Sequence, residues 1–290
     1  MGPTIGFVIL NHQSAPQLVR LINSLNKTFD SPEIACHHDF SQCPLEVSRF
    51  PDNVRFVLPH LETRWGHISV VRAFLKALLI LYRTATPPDW FVLLSGSDYP
   101  IRPARDLREK LLHTEADAFI HSRLVFRGST YDDWNNSGYE RYCCNTIRVP
   151  SLTKRLRFTH RTFVLPKFRT PFGPTFRCYS GEHWFCGNHR AAACLLSGRG
   201  EHRRLLESYE NVQSPDESYY QTILCNEPSL RVFPETLHYI RWASVGDAHP
   251  SVLNDQDVEE IVNSGKYFAR KFDMNVAPHV LDLIDQALVL

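Results

Sequence analysis

Residues 89–103 read DWFVLLSGSDYPIRP, and this stretch decides the fold class. Phe91 to Ser95 form an apolar run of strand length that stops at a Ser-Gly-Ser-Asp turn, closed by Tyr99-Pro100, the pattern of a buried strand. Upstream, apolar residues at 71, 74, 75, 78, 79 and 82 predict an amphipathic helix over 68–82, which Thr86-Pro87-Pro88 separates from that strand. Further back, strands are expected over 5–10, 33–37 and 54–58, and Leu18, Leu21, Ile22 and Leu25 at helical spacing predict a helix after the first. Downstream, a helix over 106–112 leads to a strand over 118–121. Strands alternating with helices imply an α/β fold whose mixed, mostly parallel sheet is flanked by helices, with ligands at the carboxyl ends of the strands. Those ends carry Asn11, Asp39 and Asp98.

Where a strand end holds a divalent cation against a diphosphate, two carboxylates usually stand one residue apart. Here Asp98 is alone. From residue 122 to 179 the β-α alternation gives way to Tyr, Trp, Asn, Arg and Pro, which reads as a loop-rich binding region. Helices return over 190–196, 217–224 and 278–288.

The 290 residues, 43% of them hydrophobic, suffice for one sizeable α/β domain. A net charge of +1 with dispersed basic residues leaves no nucleic-acid footprint. No apolar run approaches the roughly 18–20 residues of a membrane span. The first residues lack a basic leader and run straight into a strand, so a cytoplasmic protein is expected. The eight cysteines show neither a Cys-x-x-Cys pair nor zinc-type spacing, and reduced thiols are expected.

Four later stretches carry chemistry, each with a plainer reading beside it. In NVQSPDESYYQTIL (211–224), Ser214 is placed as an N-cap, with Pro215 in the first turn and Asp216-Glu217 at the positive end of the helix. This is either a capped surface helix or a turn aiming Glu217 into a cleft as a general base, with Tyr219 and Tyr220 nearby. In SGKYFARKFDMNVAP (264–278), Lys266, Arg270 and Lys271 are flanked by Phe268 and Phe272. Bare cations usually form a solvated face, but packed aromatic flanks would turn one inward. In TLHYIRWASVGDAHP (236–250), Arg241 adjoins Trp242, which fits a stacked structural pair equally well. In YSGEHWFCGNHRAA (179–192), Glu182, His183 and Trp184 form either a sugar-stacking wall or a turn into a core strand.

Taken in order, these stretches resemble the core-2/I-branching β-1,6-N-acetylglucosaminyltransferase and peptide O-xylosyltransferase family, glycosyltransferase family 14. The resemblance rests on Asn11-His12, His37-His38-Asp39, Arg64-Trp65-Gly66, Leu94 to Ile101, Ser214-Pro215-Asp216-Glu217 and Phe268 to Asp273, and spans most of the chain. It implies a GT-A-type fold, inversion at the anomeric carbon, a UDP-sugar donor carrying N-acetylglucosamine or xylose, a carbohydrate or glycoconjugate acceptor, and no divalent metal or other cofactor. It further implies Glu217 as catalytic base, Arg241 and Lys271 on the diphosphate, and Asp39 on the nucleoside. Asp98, Ser95 and Trp65 would border the sugars, with Trp184 and Tyr219 or Tyr220 stacking on the acceptor. The expected organisation is one domain over 1–290, with the nucleotide bound by 1–121 and the acceptor and catalytic part in 122–290.

Two other classes fit parts of the pattern. A glycosidase could use Glu182 with Glu217, and a non-catalytic carbohydrate-binding protein could retain the scaffold.

Overall fold

A computed structural model describes residues 2–13, 15–128, 133–151, 159–166, 170–243 and 249–288. The chain opens with β1 (Ile5–Asn11), α1 (Ala15–Phe29), β2 (Ile34–His38) and β3 (Val54–Phe56). Then come α2 (Ile68–Tyr82), β4 (Trp90–Ser95), β5 (Tyr99–Pro100), α3 (Ala104–Leu112), β6 (Ala118–Ile120) and β7 (Arg123–Leu124). The middle contributes α4 (Asp133–Cys143), β8 (Cys144–Ser151), β9 (Thr159–Pro166), β10 (Tyr179–Ser180), β11 (Phe185–Asn188), α5 (His189–Leu196) and α6 (Gly200–Ser208). The last part holds α7 (Tyr219–Cys225), β12 (Val232–Phe233), β13 (His238–Ile240), α8 (Val258–Asn263), β14 (Phe268–Arg270) and α9 (Val280–Leu288).

Seven strands form one sheet in the order β12-β6-β11-β4-β1-β2-β3. Four of its six pairings are parallel and the two made by β11 are antiparallel, so the expected α/β class with a mixed, mostly parallel sheet is the observed one. Alternation along β1 and β4 sends Phe7, Ile9, Val92 and Leu94 to the face covered by α1, α3 and α9. Val8, Phe91 and Leu93 go to the face covered by α2, α5 and α7. Both faces are therefore dry, which explains the unbroken apolar runs that made the strands legible.

The region expected to be loop-rich contains α4 and the antiparallel pair β8–β9. The expected helix over 217–224 is also broken: Pro215–Glu217 is a single 3-10 turn, and α7 begins only at Tyr219. Ser214 sits at φ 52° in the left-handed region, and its side chain makes no capping hydrogen bond. What holds it is backbone: Ser214 N–H donates to the Gly66 carbonyl at 2.9 Å, and Gly66 is itself at φ 65°. Two left-handed residues joined by this bond thus tie the Arg64-Trp65-Gly66 loop to the Glu217 turn, a backbone region that Gly66 enters without steric cost.

The Glu217 turn is anchored from below as well. Tyr220, the second residue of α7, is fully buried; it packs edge-on against Phe74 of α2 at 4.8 Å and lies tilted against Phe185 of β11 at 5.0 Å. Gly181 N–H donates to the Glu217 carbonyl at 2.8 Å, at a point where a Cβ on Gly181 would lie 1.8 Å from the His121 carbonyl oxygen. Only glycine fits that approach. Among the described residues, no helix is long and apolar enough to cross a membrane.

Candidate active site

The carboxyl ends of β1, β2 and β4 open into a cleft of about 360 Å³, as the strand-end rule predicts. Its floor includes Asn11, His12, His37 and the Ser95-Gly96-Ser97 turn. Gly96 is pressed against β1, where a Cβ would come within 2.0 Å of Asn11 Oδ1. One wall carries Arg64, Trp65 and Gly66; opposite elements bring Glu182, His183 and Trp184, Asp216 and Glu217, and Arg270 and Lys271.

Glu217 is half-buried in this cleft. Burial and the adjacent Asp216 raise its carboxyl to about 7, against the opposing pull of Arg141 and His183. Arg141 Nη1 donates to Glu217 Oε2 at 3.0 Å. His183 Nδ1 lies 3.1 Å from Asp216 Oδ2, so both acids of the turn have a nitrogen neighbour. Arg141 comes from the end of α4, in a stretch whose sequence gave no helical signal, and was not anticipated.

Lys271 lines the cleft and has no carboxylate partner among the described residues. Together with burial, its charge pushes the imidazole of His12 down. His37 is lowered to about 4, chiefly by burial, and its Nε2 accepts the Leu61 N–H at 3.1 Å. These two rings are neutral at pH 7, so the cations of this floor are the Lys and Arg side chains.

Four of the expected site residues do not line the cleft: Arg241, Tyr219 with its alternative Tyr220, Asp39 and Asp98. Arg241 does not line the cleft; it leaves the end of β13 and pairs with the buried carboxylate of Asp257. The cation beside Lys271 in the cleft is Arg270, which lies over Trp184 at 3.8 Å and pairs with Asp98 at 3.1 Å. Tyr219 is 2% exposed and Tyr220 0%, so both rings belong to the core beneath α2 and neither is open to an acceptor. The aromatic groups that do line the cleft are Trp65, 64% exposed, Trp184 with one face covered by Arg270, and Trp242, 46% exposed.

Asp39 is the third. Its carboxylate is fully buried; Oδ1 accepts from Ser41 N (3.1 Å) and Oγ (2.6 Å), and Oδ2 from Gln42 Nε2 (2.7 Å), Thr63 N (2.6 Å) and Thr63 Oγ1 (2.9 Å). Burial alone would raise this acid, but those donors hold it well below the usual carboxylate range. With every lone pair engaged, Asp39 shapes the wall made by Gln42 and Thr63 rather than reaching into the cleft. Asp39→Ala removes the acceptor of the part-buried N–H groups of Ser41 and Thr63 and of their hydroxyls. It should destabilise the fold by about 3 kcal/mol in denaturant titration, where a residue touching only a ligand would cost nothing.

Asp98 is buried beneath the Ser95 turn, accepting from Ser95 N at 2.8 Å and Ser95 Oγ at 2.7 Å. Burial pushes its carboxyl up and the Arg270 guanidinium down, while each favours the charged form of the other. Asp98 and Ser95 therefore fix Arg270 and the turn that lines the cleft; Asp98 itself is not on the surface of the cleft. No cluster of three or more His, Cys, Asp or Glu suited to a metal ion occurs among the described residues. Cys36 and Cys186 are core thiols whose pKa burial pushes up, which removes them from nucleophilic chemistry.

The same constellation falls inside a known sequence family. The family model described as Branch: Core-2/I-Branching enzyme matches residues 37–263. Beta-glucuronosyltransferase GlcAT14A of Arabidopsis thaliana is 30% identical over 225 residues, 76% of this chain and 47% of that protein. Beta-glucuronosyltransferase GlcAT14B of the same plant is 29% identical, covering 82% of this chain and 52% of the relative. Xylosyltransferase 1 of Homo sapiens is 25% identical, covering 84% of this chain and 26% of the relative. The chain spans about half the length of the two plant proteins. With 227 of its 290 residues inside the match, and with the His37–Asp39 segment, the Ser95 turn and the Glu217 turn all within it, the chain belongs to the Core-2/I-branching enzyme family.

Proposed function

We propose that this protein is an inverting glycosyltransferase that moves a sugar from a UDP-sugar to a hydroxyl of a carbohydrate acceptor without a divalent metal. The observation that carries this reading is one cleft holding both a half-buried carboxyl raised to about 7 and a lysine with no carboxylate partner among the described residues. A carboxyl poised near neutral pH is suited to general-base work. A cation not already neutralised is suited to a diphosphate.

In this reading the acceptor hydroxyl gives its proton to Glu217 as its oxygen bonds to C1 of the donor sugar. The bond from C1 to the β-phosphate oxygen breaks on the opposite face, and its electron pair leaves with UDP, so configuration inverts. Lys271, which has no carboxylate partner among the described residues, meets the charge that grows on the diphosphate. A unit charge about 4 Å from a phosphate oxygen contributes on the order of 4 kcal/mol at an effective dielectric near 20, before desolvation. Asp98, buried and paired with Arg270, is committed to holding that cation. Trp65 and Trp242 at the cleft mouth would receive the acceptor.

The names of the relatives make UDP-glucuronic acid and UDP-xylose the first donors to test, ahead of UDP-N-acetylglucosamine. The test is a melting-temperature screen against these three and UDP, followed by UDP release in the presence of p-nitrophenyl glycosides. A donor that binds only the folded state raises the transition. Release of UDP is expected to continue unchanged in excess EDTA; inhibition reversed by Mn²⁺ would reject the metal-free mechanism.

A further inference from the structure

A carboxylate that serves as a base has two oxygens, and only one can face the proton it removes. The other must be held, or the group rotates among geometries of which few are productive. In the Pro215–Glu217 turn that hold comes from outside the turn. Helix α4 is pinned to it by the buried Tyr142, whose hydroxyl donates to the Ser214 carbonyl at 3.1 Å. The preceding residue, Arg141, donates from Nη1 to Glu217 Oε2 at 3.0 Å. Glu217 Oε1 has no hydrogen-bond partner among the described residues, and the residue lines the cleft. Arg141 itself does not line it.

We propose that Arg141 is the positioning residue of the base: it fixes Glu217 through Oε2, leaves Oε1 to the acceptor hydroxyl, and supplies the charge that keeps the carboxylate available at neutral pH. This rests on the reading of Glu217 given above. The groups facing Glu217 are Asp216 on its own turn, His183 from the segment before β11, and Arg141 and Tyr142 from α4. Of these, Arg141 alone carries a permanent positive charge. Burial and Asp216 both disfavour the carboxylate, so removing the guanidinium leaves them opposed only by His183.

The experiment compares wild type, Arg141→Met and Arg141→Lys. UDP release from UDP-glucuronic acid and UDP-xylose is followed across pH 5–9, and the ¹³C resonance of the Glu217 carboxyl is titrated in parallel. Arg141→Met should lower kcat at pH 7 by about 10–100-fold with donor KM unchanged, and move the acid limb and the ¹³C midpoint up by about one unit. Arg141→Lys retains the charge and should return the limb to within a few tenths of a unit. In a Glu217→Gln background, Arg141→Met should cost less than about twofold, because the two side chains act as one unit. A limb and midpoint that stay put in Arg141→Met overturn the proposal, as does an equal loss in the Glu217→Gln background, which would place Arg141 on the substrate. If Arg141→Met does not fold, the Lys variant and Arg141→Gln carry the same comparison. Near-normal turnover in Glu217→Gln alone would instead reject the base, and the ¹³C midpoint would still report whether Arg141 governs that carboxyl.

Discussion

Glu217→Gln is expected to lose about 10²–10⁴-fold in sugar transfer while binding UDP and UDP-sugars within about twofold of wild type. The amide keeps the shape and still accepts from Arg141, but it has no basicity, so the loss falls on kcat. In the wild type, activity should rise with pH through about 7 as the carboxyl ionises, and the variant's residual rate should lack that limb. The same raised pKa has a consequence for stability. Glu217 titrates from 4.5 in the unfolded chain to about 7 in the fold, so the native state binds the extra proton between these values and stability falls as pH rises through them. Because the side chain is 44% exposed, the effect is given as a direction: Glu217→Gln should melt above wild type at pH 8, and the difference should vanish below about pH 4.5. Turnover near wild type in the variant would move the base elsewhere, with Glu182 on the same cleft as the next residue to replace.

The parts of this molecule that were legible in its sequence are those governed by local periodicity. The apolar spacing over 68–82 gave α2 with both ends correct, because one stripe of a single helix packs on one face of the sheet. The run ending at Ser95 gave β4 and, through the strand-end rule, the position of the cleft. What periodicity cannot give is the direction of a polar side chain after the chain has turned. Asp39 sits at the right strand end, yet its carboxylate turns back to gather the 41–42 and 63 backbone and side-chain donors. Tyr219 and Tyr220 follow Glu217 by two and three residues, but the break at Ser218 swings α7 inward, and both rings enter the core. Arg141 is invisible for a different reason: its partner is 76 residues away, and no local pattern marks a residue whose role is made by tertiary contact.

Arg241 and Lys271 looked equivalent as diphosphate ligands in the sequence, and their surroundings separate them. Arg241 is committed to the buried Asp257, so a phosphate would have to compete with a carboxylate that is already desolvated. Lys271 faces the cleft with no such competitor among the described residues. Lys271→Ala is therefore expected to weaken UDP by about 10–100-fold in titration calorimetry, roughly 1.4–2.8 kcal/mol, and to flatten the salt dependence of binding. Lys271→Arg should recover part of this, since the charge returns on a differently shaped group. Arg241→Ala should leave UDP affinity within about twofold yet lower the melting temperature, because Asp257 is left buried without its cation. The two substitutions thus exchange roles between binding and stability. If Arg241→Ala weakened UDP while Lys271→Ala did not, the diphosphate would lie at the end of β13, and the cleft orientation proposed for the donor would have to be reversed.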